Sequence, residues 1–350
     1  MKKVTLLLSL FFTLQLNAQW DSCGITANVN NPYIEAIDAF IIHQGRLISH
    51  NFFDGLQFSD DNGQSWDTLP QSGMSGTPIE FYEFDQKLYA STMVNGTAGG
   101  VQYYSTDKGL SWTTDSAGMP GSAVNANYKA SVLKAQQFGD YLFYKFNIPN
   151  PYYWRHKDST VYHADQFANS NFMNDFTIEN DTIWTAMGGS FYYLDQARGS
   201  YQQPANNNLG FAIGTAVAKS DANIFMISRD SNLDWILFRS QDYGDNWDTL
   251  YMQNILGQGA FTARSINSIY CEGSELWLGA GPKGTNEKVE ILYSSDLGNS
   301  WTYQNQNLPT DPNGTNSVQR FYPAGGYLFA HLSFKDVYRM ARNVGLNENN

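Results

Sequence analysis

The chain has 350 residues, 42% of them hydrophobic, 15% aromatic and only 15% charged, with a formal net charge of −12. An acidic chain lacks the basic face that a phosphate backbone demands, so no nucleic-acid partner is expected. Two cysteines are too few for a disulfide framework, while abundant aromatics among Gly, Asn, Asp and Ser favour short strands joined by tight turns.

Residues 1–18, MKKVTLLLSLFFTLQLNA, combine the Lys2–Lys3 start, a mostly apolar run from Val4 to Leu16 and the small residue Ala18. This pattern predicts a secretory signal peptide cleaved near Ala18. The run is too short to span a bilayer and nothing later is longer, so no membrane span is expected. Gln-Trp-Asp-Ser before Cys23 also lacks the small and aliphatic residues of a lipoprotein site. The expected location is secreted or cell-surface, extracellular or periplasmic. Gln19-Trp20-Asp21-Ser22 then has the form of an outgoing strand, matching Ser65-Trp66-Asp67-Thr68 further on.

Four octapeptides punctuate the chain: SDDNGQSW from Ser59, STDKGLSW from Ser105, SQDYGDNW from Ser240 and SSDLGNSW from Ser294. They share Ser59, Asp61, Gly63, Trp66; Ser105, Asp107, Gly109, Trp112; Ser240, Asp242, Gly244, Trp247; and Ser294, Asp296, Gly298, Trp301, with Asn246 replacing a hydroxyl in the third copy. Each sits between two β-prone runs, which predicts strand, turn, strand. The aspartate is suited to accept backbone N–H groups of its own loop, the glycine to supply positive φ, and the tryptophan to pack on a neighbouring sheet. A calcium loop would need a later bidentate glutamate at fixed offset, which these lack. General acid–base work would need carboxylates converging on one place, whereas these stand on four separate turns.

Two weaker copies fill the long gap between Trp112 and Trp247. RHKDSTVYH, from Arg155, aligns without gaps on RSQDYGDNW and sets Asp158 on Asp242. YYLDQARGSY keeps Asp195 and ends on Tyr201 where a tryptophan is expected. The gap of 135 residues is three periods of 45, close to the 46 that separate Trp66 from Trp112. An independent signal, a polar or glycine turn followed by an aliphatic residue, recurs at Leu47, Leu88, Leu142, Ile183, Ile224, Leu276 and Leu328. These markers predict seven second strands, hence an all-β, seven-bladed propeller of four-stranded blades spanning 19–343 as one domain. Residues 344–350 form a tail or the start of a linker. The last blade lacks a fourth strand, which the N-terminal strand is predicted to supply, closing the ring and hiding an edge.

The octapeptide resembles the Asp-box, or BNR repeat, of sialidases, sortilin-type receptors, xyloglucan-degrading hydrolases and photosystem assembly factors, all of them β-propellers. The resemblance implies that the boxes lie between third and fourth strands, away from the ligand face, and that loops joining second and third strands crowd the channel mouth. On that face the candidate ligand-binding residues are Tyr152, Tyr153 and Trp154, which follow Pro149 and Pro151, together with Arg229, Lys283 and Arg320. Strand alternation directs at least one of the three adjacent rings into the core. Glu80, Lys134, Asp175, Arg264 and Arg320, on the innermost strands, are expected to line the channel, bridged by water and opposite charge.

The five histidines (His43, His50, His156, His163, His331) show no HExxH spacing, and no CxxC occurs, so neither a metal nor a cofactor is expected. There is no GxSxG elbow, and GAGPKGT at 279–285 reads as a hairpin turn. A sialidase would carry an arginine triad and a Phe/Tyr-Arg-Ile-Pro stretch. This chain has nine arginines, none in such a stretch. Xyloglucan-type enzymes use a cleft between two propellers, and only one fits here. The expected function is therefore a non-catalytic, monomeric module binding or scaffolding a protein or carbohydrate, with a glycoside hydrolase or lyase as the alternative. The acidic, Asn/Tyr-rich composition and the ending GLNENN resemble secreted Bacteroidetes propellers of the type IX pathway, where a C-terminal sorting domain follows the propeller. Cys23 and Cys271 are read either as a bridge or as two inert thiols.

Overall fold

The computed structural model describes residues 19–25, 37–51, 54–93, 99–122, 129–148, 152–164, 173–179, 182–187, 190–195, 201–203, 216–229, 235–252, 266–282, 284–314, 316–333 and 336–342. Among the described residues, seven antiparallel blade sheets follow one another along the chain, beside two short two-stranded ladders, Gly99–Gly100 with Lys129–Ala130 and Glu287–Lys288 with Thr310–Asp311. Their first and second strands are Ile37–His43 and Arg46–Asn51 in blade 1, Thr77–Phe84 and Lys87–Met93 in blade 2, and Val132–Phe138 and Tyr141–Phe146 in blade 3. Blade 4 opens with Met173–Glu179 and Thr182–Met187, blade 5 with Ala216–Ser220 and Asn223–Arg229, blade 6 with Ile266–Glu272 and Glu275–Ala280, and blade 7 with Val318–Ala324 and Tyr327–Leu332. Third and fourth strands complete them, except that blade 4 shows its outer edge only as a bridge between Tyr193 and Gln202.

The seven aliphatic markers of the second strands are all buried, at 0 or 1% exposure. A β-sheet has two apolar faces to cover, and here each face meets the next blade. Seven hydrophobic clusters result, one for every neighbouring pair around the ring, the last joining Phe40 and Leu47 of blade 1 to Phe329 and Val337 of blade 7. Burying one such leucine or phenylalanine contributes about 1.5–3 kcal/mol, so the ring is held by its interfaces more than by any axial core.

Closure is as expected. Asp21 and Ser22 pair with Arg339 and Tyr338, making the N-terminal strand the fourth of blade 7. Trp20 is fully buried, edge-on to Trp277 at 6.3 Å, and its indole N–H donates to the Gln304 carbonyl at 2.8 Å. The buried Asp336 carboxylate accepts the Ser22 hydroxyl and the backbone N–H groups of Gly24 (3.0 Å) and Ile25 (3.2 Å).

The four octapeptides form one turn four times. The serine hydroxyl donates to the aspartate Oδ1 at 2.7–2.8 Å and accepts the glycine N–H at 2.8 Å. The same Oδ1 takes the backbone N–H of Ser65, Ser111, Asn246 or Ser300, and Oδ2 takes that residue's side chain at 2.6–2.7 Å. Asn246 is tolerated because its amide N–H donates where a hydroxyl otherwise would. Asn62, Lys108, Tyr243 and Leu297 all adopt φ of 57–58°, and the following glycine 80–90°. A Cβ on Gly63 would lie 2.9 Å from Cys23 Sγ. These bonds hold the half-exposed carboxylates below the ordinary carboxylate value, Asp296 at about 2, with the Ser300 hydroxyl as its largest cause. The turns of blades 5 and 6 back onto the first hairpin of their own blade, where Tyr243 N–H donates to Ala222 O (3.0 Å) and Leu297 N–H to Ser274 O (3.1 Å).

The weaker copies need correction by one residue. Ser59, Ser105, Ser240 and Ser294 each pair with the blade's aliphatic marker. In blades 3 and 4 the partners of Leu142 and Ile183 are Arg155 and Leu194. Lys157, not Asp158, therefore stands at the bracing position, and Asp195 comes one residue early. Tyr162 and Tyr201 occupy the tryptophan positions and pack into the clusters joining each blade to the one before, as Trp66, Trp112, Trp247 and Trp301 do. Cys23 and Cys271 are free, buried thiols in different interfaces.

Candidate functional site

The innermost strands share a register. Counting back four residues from the end of each first strand reaches Ala39, Glu80, Lys134, Asp175, Ala216, Ser268 and Arg320 in blades 1 to 7. Six of these strands carry a register irregularity next to that position, in every blade but the fifth. Bulges of this kind re-aim side chains at the rims of closed sheets. All four charges thus lie in one layer of the axial channel, with small residues in the other three blades.

The layer opens on a cavity of about 690 Å³ that all seven first strands line, with Lys134, Asp175, Ser268 and Arg320 among its walls. Arg320 Nη1 donates to Glu80 Oε1 at 2.8 Å, reaching past blade 1, where the layer holds only Ala39. Lys134 Nζ donates to Asp175 Oδ1 and to the Phe176 carbonyl, both at 2.5 Å. Asp175 Oδ2 accepts the Val217 N–H at 3.1 Å, tying blade 4 to blade 5. Burial pushes the Glu80 carboxyl upward against the opposing pull of Arg320, whose own proton Glu80 holds more tightly. The signs alternate around four blades and cancel. Among the described residues, no group of three or more His, Cys, Asp or Glu side chains is placed to hold a metal.

The other sequence candidates do not gather here. Tyr152 is fully buried and stacks on Phe143 (6.1 Å, 17°), so it is a core residue and not a ligand platform. Tyr153 turns the opposite way, edge-on to Phe146 at 5.5 Å, and Trp154 stacks on His163 at 4.3 Å. Alternation along the strand separates the three rings between two interfaces. Arg229, at the end of the second strand of blade 5, lies over the Trp235 ring at 4.2 Å, outside the channel lining. Lys283 and Arg264 lie outside the described residues, as do Pro149 and Pro151. The sequence reading missed Ser268, Asn267 and Gln319 as channel residues; counting back from each first hairpin finds them.

No family model and no curated protein matches this chain. Solved structures do share its fold. The extracellular domain of BT4673 from B. thetaiotaomicron is 12% identical with a TM-score of 0.59, over 92% of this chain and 40% of that one. This chain therefore spans about two-fifths of that structure's length. YCF48 from Cyanidioschyzon merolae is 12% identical with a TM-score of 0.61, covering 93% of this chain and 100% of that one. YCF48 bound to D1 peptide is 13% identical with a TM-score of 0.60, covering 95% and 97%. At these identities the likeness shows the fold, a seven-bladed β-propeller.

Proposed function

We propose that this protein is an exported, non-catalytic propeller that binds an extended segment of a partner protein at the mouth of its axial channel. The observation that carries this reading is the cavity of about 690 Å³ lined by all seven first strands, a size typical of ligand sites. Its charged groups are arranged to bind and orient. Glu80 and Asp175, the two carboxylates that a glycosidase would need, are each engaged by a cation. The peptide bound by a structure of the same fold supports a protein ligand over a glycan. The four turns read as Asp-boxes serving stability, and the N-terminal residues 1–18 as a signal peptide directing the chain out of the cytoplasm.

The test is affinity selection on immobilised protein from a random pool of short peptides, beside a panel of fluorogenic glycosides. Retained peptides and no hydrolysis are expected. Turnover of a glycoside that is lost in Glu80→Gln would replace this reading with the enzymatic one.

A further inference from the structure

Among the charges of the channel layer, Arg320 is the most open. Its side chain is 37% exposed, against 13% for Glu80 and 18% for both Lys134 and Asp175. Asp175 uses both oxygens, on Lys134 and on the Val217 N–H. Arg320 commits Nη1 to Glu80, while a guanidinium offers a planar fork of further N–H donors. Beside it, the amides of Gln319 and Asn267 both donate to Ser317 Oγ, at 2.8 and 2.7 Å. That shared anchor fixes two amide groups on the cavity wall next to the cation.

A planar fork of this kind matches carboxylate and phosphate alike at two points, and of the two a carboxylate carries only a single negative charge. The rest of the molecule limits what carries it, because a chain of net charge −12 repels polyanions at long range. Resting on the reading of the channel as a peptide site, we propose that its mouth takes a single carboxylate borne on an otherwise neutral or basic peptide. The outer edge of Arg320 grips the carboxylate, and the fixed amide oxygens of Asn267 and Gln319 accept the peptide's N–H groups.

The carboxylate comes from a free C-terminus or from an acidic side chain, and three random acetyl-peptide pools separate these sources. One pool has free C-terminal acids and no Asp or Glu, one has amidated termini and no Asp or Glu, and one has amidated termini with a single Glu. The wild-type protein is expected to enrich one of the two carboxylate pools over the uncharged pool, and the pool enriched names the source. Arg320→Gln should lose about tenfold or more of that enrichment, whereas Arg320→Lys should keep part of it. Glu80→Gln frees Nη1 and should raise carboxylate binding several-fold, so the test survives if Arg320→Gln does not fold. Equal retention of all three pools, unchanged in Arg320→Gln and Glu80→Gln, would overturn the carboxylate proposal and leave peptide binding standing. Retention of none would remove both.

Discussion

The interface between blades 5 and 6 and that between blades 2 and 3 solve one packing problem with opposite chemistry. At the first, Phe225, Ile227, Trp235 and Leu237 meet Ile266, Leu276, Leu278 and Leu292, and Trp301 closes the edge beside a fully braced turn. At the second, Arg155 occupies the place that serine holds in the braced turns, and no loop carboxylate is positioned to receive it. It is 3% exposed and reaches across to blade 2, where Nη1 donates to Asp115 Oδ2 at 3.0 Å. The guanidinium lies 5.2 and 5.9 Å from the rings of Tyr162 and Tyr89. Gln102 accepts the Tyr82 hydroxyl and donates to the Tyr162 hydroxyl at 3.2 Å. The lesson is that a serine satisfied inside its own turn leaves the interface free to be apolar. Once a long cation takes that place, the neighbouring blade must supply the partners.

The widest gap between the two interfaces should appear on removing the cation. Arg155→Ala empties a buried site and leaves the half-buried Asp115 without its cation, and is expected to cost about 3–5 kcal/mol by thermal or urea unfolding. The double variant Arg155→Met, Asp115→Asn should recover most of that loss, because neither charge is then left alone. At the apolar interface, Leu276→Ala should cost about 2–5 kcal/mol, and the cost should not change with salt or between pH 5 and 8. A salt-dependent loss there would break the contrast.

The turns sharpen the comparison at lower cost. Gly298 adopts φ of 85°, and an added Cβ would meet Leu237 Cδ2 at 3.1 Å. Gly298→Ala should therefore destabilise by about 1–2 kcal/mol, whereas the exposed Thr160→Ala in the turn of blade 3, which no aspartate braces, should fall within about 0.5 kcal/mol. The smallest expected effect is on pH dependence. Asp296 is held at about 2, below its ordinary 3.8, so its contribution is present above 3.8 and is lost as pH falls toward 2. Asp296→Asn should flatten that acid limb of the melting profile.

Much of the architecture was legible because it is local. A marker residue, a turn and an aromatic recur within a few positions of each other, and the partner of each is set by a hairpin. The same locality misled in blade 3. The match of Arg155-His156-Lys157-Asp158 to Arg239-Ser240-Gln241-Asp242 outweighed a register that only the pairing of Leu142 with Arg155 decides. The aromatic triplet failed as a platform for the reason that strands alternate: Tyr152 and Trp154 face one neighbour and Tyr153 the other. The channel layer was half visible. Its charges could be named from the sequence, but their union rests on a shared count from seven separate hairpins, and the reach of Arg320 to Glu80 depends on an alanine in the blade between them.

The clasp formed by Asp21 and Ser22 sets an order of events during synthesis. The first strand to emerge is the last to find its partner, since Arg339 and Tyr338 are made more than 300 residues later. Until then one flank of the seventh blade and the indole of Trp20 stand uncovered. Contacts of such long range are slow to form, so the nascent chain passes through an open, sticky crescent before it becomes a wheel, and a holdase arriving in that interval would have the ends as its natural target.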